Sequence, residues 1–263
     1  MERRKFITKA VSFSALIAFH LQAQSCGQVL KRTKSNETKI GRFPEITLST
    51  SKLKEQYEYY SNVLEFKVIN KTASQFSIEI GESILRFKEV KDGSEPFYHF
   101  AINIPTNKYL QAQKWLAART PVLMTEETEG GILYFDFWDA HAMYFKDPAG
   151  NIGELIARHT LSNEREGAFG MSDMLYISEI GTPVEDPQLL SAELKSSYGL
   201  DTYGGSMFVG DETGMFVIPP INRLWFPENI QKAAVYPTEI LISDKGKSDF
   251  KFLDYPYTIK TKK

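Results

Sequence analysis

The sequence predicts an α+β protein assembled from repeated units, each with one strand, one helix and two or three further strands. Three observations support this fold class. Short strands that alternate polar and apolar residues precede amphipathic helices at three places along the chain. Pairs of strands joined by tight turns follow the helices. The chain of 263 residues is 42% hydrophobic and 13% aromatic, which is enough for one large core or two small ones.

The first copy of the unit begins with a strand at residues 45–49, and its helix starts after Thr50 or Ser51 as N-cap. Further strands are predicted at 66–72, 76–80 and 83–90. The last two form a hairpin across Gly81 and Glu82.

The second copy begins at residues 99–104, and its helix starts after Thr106 or Asn107. Its remaining strands are predicted near 121–126, 132–138, 141–146 and 152–157. The third copy begins at 177–181, and Pro187 lies near the first turn of its helix. Strands near 206–210 and 214–218 follow, and a strand at 238–242 begins a fourth copy that the pattern does not complete.

Each leading strand has one apolar and one polar face. The apolar face, expected to pack under the helices, carries Ile46, Leu48, Phe100, Ile102 and Ile180. The other face is too polar for a dry core and suits the inside of a solvent-accessible cup. Glu45, His99, Glu179 and Glu239 occupy the same slot on this face in the four copies.

The hairpin from Ala140 to Arg158 has the clearest turn in the chain, Asp147-Pro148-Ala149-Gly150-Asn151. Proline presets φ, glycine accepts a positive φ, and the Asp and Asn side chains can bond the local backbone. Glu154 follows inside an otherwise apolar strand. A carboxylate in a half-buried strand is costly unless it is paired or bound to a metal, so Glu154 is a candidate site residue.

The segment from Tyr144 to Leu155 resembles the closing motif of the vicinal oxygen chelate superfamily, which includes glyoxalase I, extradiol dioxygenases and bleomycin-resistance proteins. The resemblance covers residues 43–159 well and 174–243 more weakly. It implies βαβββ modules in curled mixed sheets, with the paired modules of 43–159 forming a cup around a divalent metal. A linker at 160–173 and a third module with a partial fourth at 174–263 would follow.

The resemblance also implies a ligand set. His99 and Glu154 match ligand positions, and Glu45 stands where the family usually has His or Gln. A fourth ligand of the glyoxalase type would fall near Arg86, which argues against an ordinary glyoxalase I. One histidine and two carboxylates also differ from the two histidines and one carboxylate of the common dioxygenase set. The expected cofactor is a divalent ion, Mn, Fe or Zn, with a carboxylate-rich set favouring the harder ions.

Each candidate ligand also has a purely structural interpretation. His99 can be a hydrogen-bonded core histidine. Glu154 can form a buried ion pair with Arg86 or another base. Glu45 can be a solvated residue at a strand edge. His141, on the strand before the turn, is the candidate catalytic residue, as a general base, a fourth ligand or a partner that orients a ligand.

Two other features remain open in the sequence. Glu179 and Glu239 are interpreted as remnants of the repeat or as surface carboxylates. The segment Arg223–Pro227, which follows two prolines, is either a lid over the cup or a packed corner between domains, and we favour the packed corner.

The first 26 residues resemble an export signal. Arg3 and Arg4 precede a short apolar run at residues 10–19, as in twin-arginine signals, and this run is too short for an ordinary transmembrane helix. Cys26 is the only cysteine and resembles the lipid-modified cysteine of bacterial lipoproteins. Residues 27–42 are a polar linker. We expect an exported protein, either periplasmic or anchored to the membrane through Cys26.

These features predict a metal-dependent lyase, isomerase or dioxygenase that acts on a small oxygenated molecule. The alternatives are a metal-free protein that sequesters a small molecule, as in the bleomycin-resistance branch, and a lipid-anchored surface protein with a degenerate site. The net charge of -2 gives no reason to expect nucleic acid or an anionic membrane as a partner. The third module can pair within the chain or with a second subunit, so the sequence also leaves a homodimer open.

Overall fold

The structure is a computed structural model that describes residues 42–125, 128, 130–243, 250–252 and 255–261. The expected export signal and Cys26 lie outside these residues. Within the described ranges the chain folds into two mixed sheets of seven strands each, with helices packed against them. None of the helices in these ranges is both long and apolar enough to cross a membrane.

The first two modules each contain a leading strand, a helix and three strands. Module one consists of β1 (Glu45–Thr50), α1 (Leu53–Glu58), β2 (Val68–Lys71), β3 (Gln75–Ile80) and β4 (Ser83–Glu89). Module two consists of β5 (His99–Asn103), α2 (Tyr109–Ala117), β6 (Leu133–Phe135), β7 (Ala140–Lys146) and β8 (Ile152–Arg158). The strand expected near 121–126 is reduced to a single bridge between Val122 and Phe145.

The last two modules are shorter. Module three consists of β9 (Tyr176–Gly181), α3 (Pro187–Tyr198), β10 (Phe208–Asp211) and β11 (Gly214–Val217). Module four consists of β12 (Thr238–Ile242), β13 (Phe250–Lys251) and β14 (Tyr257–Thr261). The fourth copy, which the pattern left incomplete, therefore adds two strands after its leading strand.

The four modules share one pairing rule. In each module the leading strand is parallel to the last strand: β1 with β4, β5 with β8, β9 with β11, and β12 with β14. Leading strands of different modules then pair antiparallel, β1 with β12 and β5 with β9. The first sheet has the order β13-β14-β12-β1-β4-β3-β2, and the second has the order β10-β11-β9-β5-β8-β7-β6.

This topology differs from the arrangement expected for residues 43–159. The sequence placed modules one and two together in one cup, but β1 and β5 lie in different sheets. Module one shares its sheet with module four, and module two shares its sheet with module three. The physical reason is that residue alternation fixes which face of a strand is apolar, but it does not specify which strand joins each edge.

The apolar faces of the leading strands pack as predicted. Ile46, Leu48, Phe100, Ile102 and Ile180 are fully buried in one hydrophobic core that includes residues of both sheets and of the helices. Burying a side chain of this size contributes roughly 1.5–3 kcal/mol. The core therefore fixes the polar faces of both sheets on the opposite side from the helices.

The turn after β7 joins module two to the helical segment of module one. The buried Asp147 carboxylate accepts hydrogen bonds from Gln56 Nε2 (2.8 Å), the Tyr60 hydroxyl (2.8 Å) and Asn151 Nδ2 (2.7 Å). The backbone N–H groups of Ala149 and Asn151 also donate to it, each at 3.0 Å. Burial raises the pKa of Asp147, although these hydrogen bonds act in the opposite direction.

Gly81, in the turn between β3 and β4, lies against the backbone that precedes β9. Its φ is +55°, and an added Cβ would lie 2.1 Å from the carbonyl oxygen of Leu175. The N–H of Glu82 donates to the same oxygen at 2.9 Å. The turn therefore needs glycine both for its backbone conformation and for this close approach.

We predict that Gly81→Ala lowers the free energy of unfolding by roughly 3 kcal/mol or more, because it adds a backbone clash to a strained φ. Gly93→Ala is the matched control, since Gly93 has a φ of +84° and nothing within 4 Å of an added Cβ. It should cost only about 1 kcal/mol from the backbone conformation. Urea unfolding measures both variants, and equal losses would contradict the contact between the turn and Leu175.

Candidate metal centre

Three neighbouring strands of the second sheet bring His99, Glu154 and Glu179 together; we call these residues the candidate cluster. The central strand β5 pairs with β8 on one side and β9 on the other. Ala101 lies opposite Glu154 in β8 and opposite Glu179 in β9. His99 is two residues before Ala101 and so lies on the same face of β5. One donor atom from each residue lies within 4.8 Å of the other two.

A β-bulge places Glu179 on this face. In the β5–β9 pairing, Ala101 is opposite Glu179 but the next residue, Ile102, is opposite Ile177. Ser178 is therefore an extra residue in β9 without a partner in β5. Ile177 and Ile180 remain in the hydrophobic core. The bulge thus aims Glu179 into the polar face without exposing the apolar residues on either side of it.

The orientation of the His99 ring suits a ligand. Its Nδ1 lies 3.2 Å from the carbonyl oxygen of Ile152. Because a carbonyl only accepts, Nδ1 carries a proton. Nε2 therefore faces the two carboxylates, where it can bind a metal through its lone pair or, in the metal-free protein, donate a hydrogen bond to Glu179. Nε2 lies 3.5 Å from Glu154 Oε2 and 3.6 Å from Glu179 Oε2. Adjacent ligands on a metal with bonds of about 2.1 Å would lie about 3.0–3.4 Å apart, which is close to this spacing.

The cluster is buried together with one arginine. The side chains of His99, Glu154 and Glu179 are 8%, 3% and 11% exposed. Arg158 is buried as well, and its Nη2 donates to Glu179 Oε1. Two carboxylates against one guanidinium leave one negative charge, which a proton or a bound cation has to balance.

The two carboxylates respond differently to this environment. Burial, followed by the charge of Glu179, raises the pKa of Glu154 well above its ordinary value, although Arg158 and a hydrogen bond from Tyr144 oppose this. Burial also acts to raise the pKa of Glu179, but the hydrogen bond with His99 and the charge of Arg158 outweigh it and lower the pKa. Without a cation, Glu154 is therefore the carboxylate that takes up a proton.

Tyr144 completes the surroundings of Glu154. It lies directly opposite Glu154 in the β7–β8 hairpin. Burial and then the charges of Glu154 and Glu179 raise its pKa well above the ordinary value, so the phenol stays protonated and its hydroxyl can donate a hydrogen bond to Glu154.

The cup around the cluster is closed rather than open to solvent. Residues 222–233 form a hairpin, here called the capping hairpin, in which Trp225 N–H donates to the carbonyl of Gln231 at 2.8 Å. The buried Trp225 ring lies against the His99 ring with centroids 5.3 Å apart. The segment Arg223–Pro227 therefore covers the cluster. The solvent-accessible cup expected from the sequence is not present here, because apolar side chains from outside the sheet fill its mouth.

Glu45, one of the three ligands expected from the sequence, lies in the other sheet. Its carboxylate accepts hydrogen bonds from Arg86 Nε at 2.9 Å and Nη2 at 2.8 Å. The structure therefore brings His99 and Glu154 together with Glu179 and not with Glu45. Glu239 also lies in the first sheet, where Lys88 and Lys260 donate to it at 2.9 and 2.6 Å.

His141 lies on the opposite face of the second sheet from the candidate cluster. In β7 the alternate residues Ala142 and Tyr144 face the cup. His141 instead stacks on Tyr109 of α2, with ring centroids 3.9 Å apart. Its Nδ1 lies 2.6 Å from His159 Nε2. Burial, followed by the charge of His159, lowers the pKa of His141. The structure does not bring His141 to the side chains with which the sequence grouped it.

Sequence reasoning missed two residues of the site. The sequence pattern favours a remnant or a surface carboxylate for Glu179, but the residue shares its slot with His99 and is buried. The family resemblance assigns no role to Tyr144, yet positions 144 and 154 are equally distant from the centre of the turn at Asp147–Asn151. That spacing alone would have placed it opposite Glu154.

No protein-family model matches the chain, and no curated protein sequence matches it. A crystal structure of a putative dioxygenase from Bacillus subtilis is similar over 80% of this chain and 72% of that chain, with a TM-score of 0.51 and 16% identity. Shorter structures also align. A glyoxalase/bleomycin resistance protein/dioxygenase from Nocardioides covers 59% of this chain and 99% of its own, with a TM-score of 0.36 and 16% identity. A lactoylglutathione lyase from Agrobacterium tumefaciens covers 49% and 97%, with a TM-score of 0.35 and 16% identity.

The first of these matches extends over most of both chains and shows the fold. The chain has a vicinal-oxygen-chelate-like fold, with two mixed sheets built from repeated modules. The α+β fold class predicted from the sequence is therefore confirmed. At this level of identity the likeness concerns the fold, and the chemistry has to be argued from the side chains of the cup.

The different environments of the two carboxylates predict opposite effects on the metal-free protein. The pKa of Glu154 is higher in the folded protein than in the unfolded protein, so folding takes up a proton. The stability that this proton contributes is complete below the unfolded pKa. It is lost as the pH rises through the folded pKa. Glu154→Gln should therefore gain stability relative to the wild type between pH 5 and pH 8 in EDTA. Glu179→Gln should lose roughly 3–5 kcal/mol near neutral pH, because Arg158 is left buried without its partner.

Urea unfolding at several pH values in EDTA measures both effects. A Glu154→Gln variant that loses stability relative to the wild type as pH rises would contradict the assigned environment of Glu154. A Glu179→Gln variant as stable as the wild type would contradict the buried pair with Arg158.

Proposed function

We propose that this chain is a divalent-metal-dependent enzyme that acts on a small oxygenated molecule, and that His99, Glu154 and Glu179 hold the metal. The observation that carries the proposal is the convergence of three buried donor side chains on one face of the second sheet. Burying two carboxylates this close together is costly. A divalent cation between them would offset that cost and balance their charge.

The donor set suggests which ions fit. One imidazole nitrogen and two carboxylate oxygens, without a thiolate, suit Mn²⁺ or Fe²⁺ and also accommodate Zn²⁺. Three protein ligands would leave coordination positions free for the oxygen atoms of a substrate. When bound, such an ion supplies Lewis-acid chemistry to those oxygens. The proposed reaction class is accordingly a lyase, isomerase or dioxygenase reaction.

The residues around the cluster have separate roles in this proposal. The Ile152 carbonyl orients the His99 ring, Arg158 holds one oxygen of Glu179, and the Tyr144 hydroxyl is available to donate to Glu154. Such outer partners commonly change metal affinity by about 10- to 100-fold when they are lost. The aromatic ring of Trp225 excludes water from the cup and strengthens electrostatic interactions inside it.

Metal analysis tests the proposal directly. Protein purified from medium supplied with Mn, Fe and Zn should contain about one metal ion per chain by mass spectrometry, as expected for a three-ligand site. His99→Ala and Glu179→Gln should lower the affinity by at least about 100-fold, because they remove a ligand and not only an outer partner. Glu239→Gln is the matched control, since Glu239 has the same place in the first sheet and should leave metal content unchanged.

The result distinguishes the proposal from its alternative. Stoichiometric metal that persists in His99→Ala would place the metal elsewhere and contradict the assigned ligands. Protein without metal, whose thermal stability does not respond to added Mn²⁺, Fe²⁺ or Zn²⁺, would instead favour a metal-free protein that binds a small molecule.

We also propose that the chain is exported, on the sequence of its first 26 residues. Mass spectrometry of the mature protein from a membrane fraction should find an N-terminus at a lipid-modified Cys26, and Cys26→Ala should abolish the lipid. A soluble periplasmic product cleaved near residue 26 would support export without an anchor. A cytoplasmic product that retains Arg3 and Arg4 would contradict export.

A further inference from the structure

The cover over the candidate cluster raises the question of how the cluster is reached. The sheet forms the floor of the cup, and Trp225 lies over the His99 ring. A Cβ added to Gly181, on the neighbouring strand β9, would lie 2.8 Å from Trp225 Cη2, so the ring is in close contact with the sheet. A molecule large enough to bind a metal through two oxygens has no room between this ring and the cluster while Trp225 stays in place.

The far end of the cup does not offer another route. There the carboxylate of Glu212 accepts hydrogen bonds from the hydroxyls of Thr160 and Tyr203 and is buried. Tyr203 stacks on Trp138, with ring centroids 5.0 Å apart and an interplanar angle of 3°. The charge of Arg158 interacts with Glu212 of this network as well as with Glu179. By contrast, a narrow pocket is lined by both His99 and Trp225.

The capping hairpin is held together by its own backbone hydrogen bonds. Its backbone hydrogen bonds among the described residues join it to itself or to its own base, including Asn222 N–H to the Ala233 carbonyl at 2.8 Å. At the base of the hairpin, the N–H of Ile221 donates to the carbonyl oxygen of Val184 at 2.9 Å. Displacing the hairpin from the cup therefore breaks side-chain contacts and leaves its own ladder intact.

Besides Trp225, two side chains hold the tip of the hairpin against the second sheet. Phe226 packs against Tyr144 and Phe135, with centroid distances of 5.5 and 5.9 Å. Glu228 forms an ion pair with Lys146 at the end of β7, and both side chains are about one-third exposed. A partly exposed ion pair of this kind is weak and breaks easily.

We propose that the capping hairpin is a lid, that Trp225 is the residue that controls access to the metal centre, and that the Lys146–Glu228 ion pair is its latch. The inference rests on the proposed metal site for its main test. Closure excludes water from the cup, and opening exposes the free coordination positions to a substrate. Weakening the latch shifts the lid toward its open state without changing a ligand.

The test uses Zn²⁺ as the probe. Zinc-loaded protein is mixed with an excess of a chromophoric chelator in a stopped-flow instrument, and the limiting release rate is measured. Glu228→Gln should speed release about two- to fivefold, the range expected for losing a partly exposed ion pair. Zinc association should accelerate by the same factor, so that Kd stays unchanged. Trp225→Ala should speed both rates by more than about tenfold, because it removes a large buried side chain.

Glu79→Gln is the control for the latch, because it breaks an exposed ion pair with Lys67 in the first sheet, away from the hairpin. It should leave both rates unchanged. Release rates that are equal in wild type and Glu228→Gln would overturn the lid. A Glu228→Gln variant with a weaker Kd and an unchanged association rate would also overturn it, since that result indicates an effect on the ligands.

Failure of the metal site is distinguishable from failure of the lid. If the wild type binds no zinc, the lid is tested by acrylamide quenching of Trp225 in a Trp115→Phe, Trp138→Phe background; the proposed function fails only if the protein binds neither Mn²⁺ nor Fe²⁺ as well. Glu228→Gln should then raise the quenching constant relative to the same background with Glu79→Gln. Equal quenching in the two proteins would overturn the lid.

Discussion

The pairing of β5 with β8 on one edge and with β9 on the other is the constraint on which the site depends. The parallel pairing puts Glu154 beside Ala101, and the antiparallel pairing puts Glu179 on its other side. A slip of one residue in either register would turn a carboxylate into the hydrophobic core. The donors are therefore positioned by strand register and not by loops, which gives them the rigidity that a metal site needs.

The first sheet repeats this geometry with different chemistry. Thr47 takes the place of Ala101, with Arg86 on one side and Glu239 on the other, and Glu45 takes the place of His99. Because Arg86 stands in the first sheet where Glu154 stands in the second, Glu45 forms its ion pair with a neighbour on the same face of the sheet. Glu239 likewise forms ion pairs, with Lys88 and Lys260. The repeated fold thus carries one cluster that neutralises itself and one that keeps an uncompensated carboxylate.

This comparison also explains how much the sequence could predict. Alternation is local, so it correctly assigned Ile46 and Phe100 to the core and placed Glu45, His99 and Glu179 in equivalent slots. The choice between Glu45 and Glu179 as the third member of the cluster depends on which strand joins the free edge of β5. That choice is made by packing between modules distant in the chain, and no pattern within one strand encodes it.

The buried cluster and its cover create opposite demands on the same residues. Low solvent access strengthens every interaction between a cation and the carboxylates, but it makes the metal-free state costly and blocks the route to the cluster. Proton uptake by Glu154 relieves the first problem. The second can be relieved only by movement of some part of the wall. The sheet cannot move without losing the register that aligns the donors, whereas the capping hairpin keeps its backbone hydrogen bonds when it leaves the cup. Movement of the hairpin is therefore the least costly way to combine a rigid donor set with access from solvent.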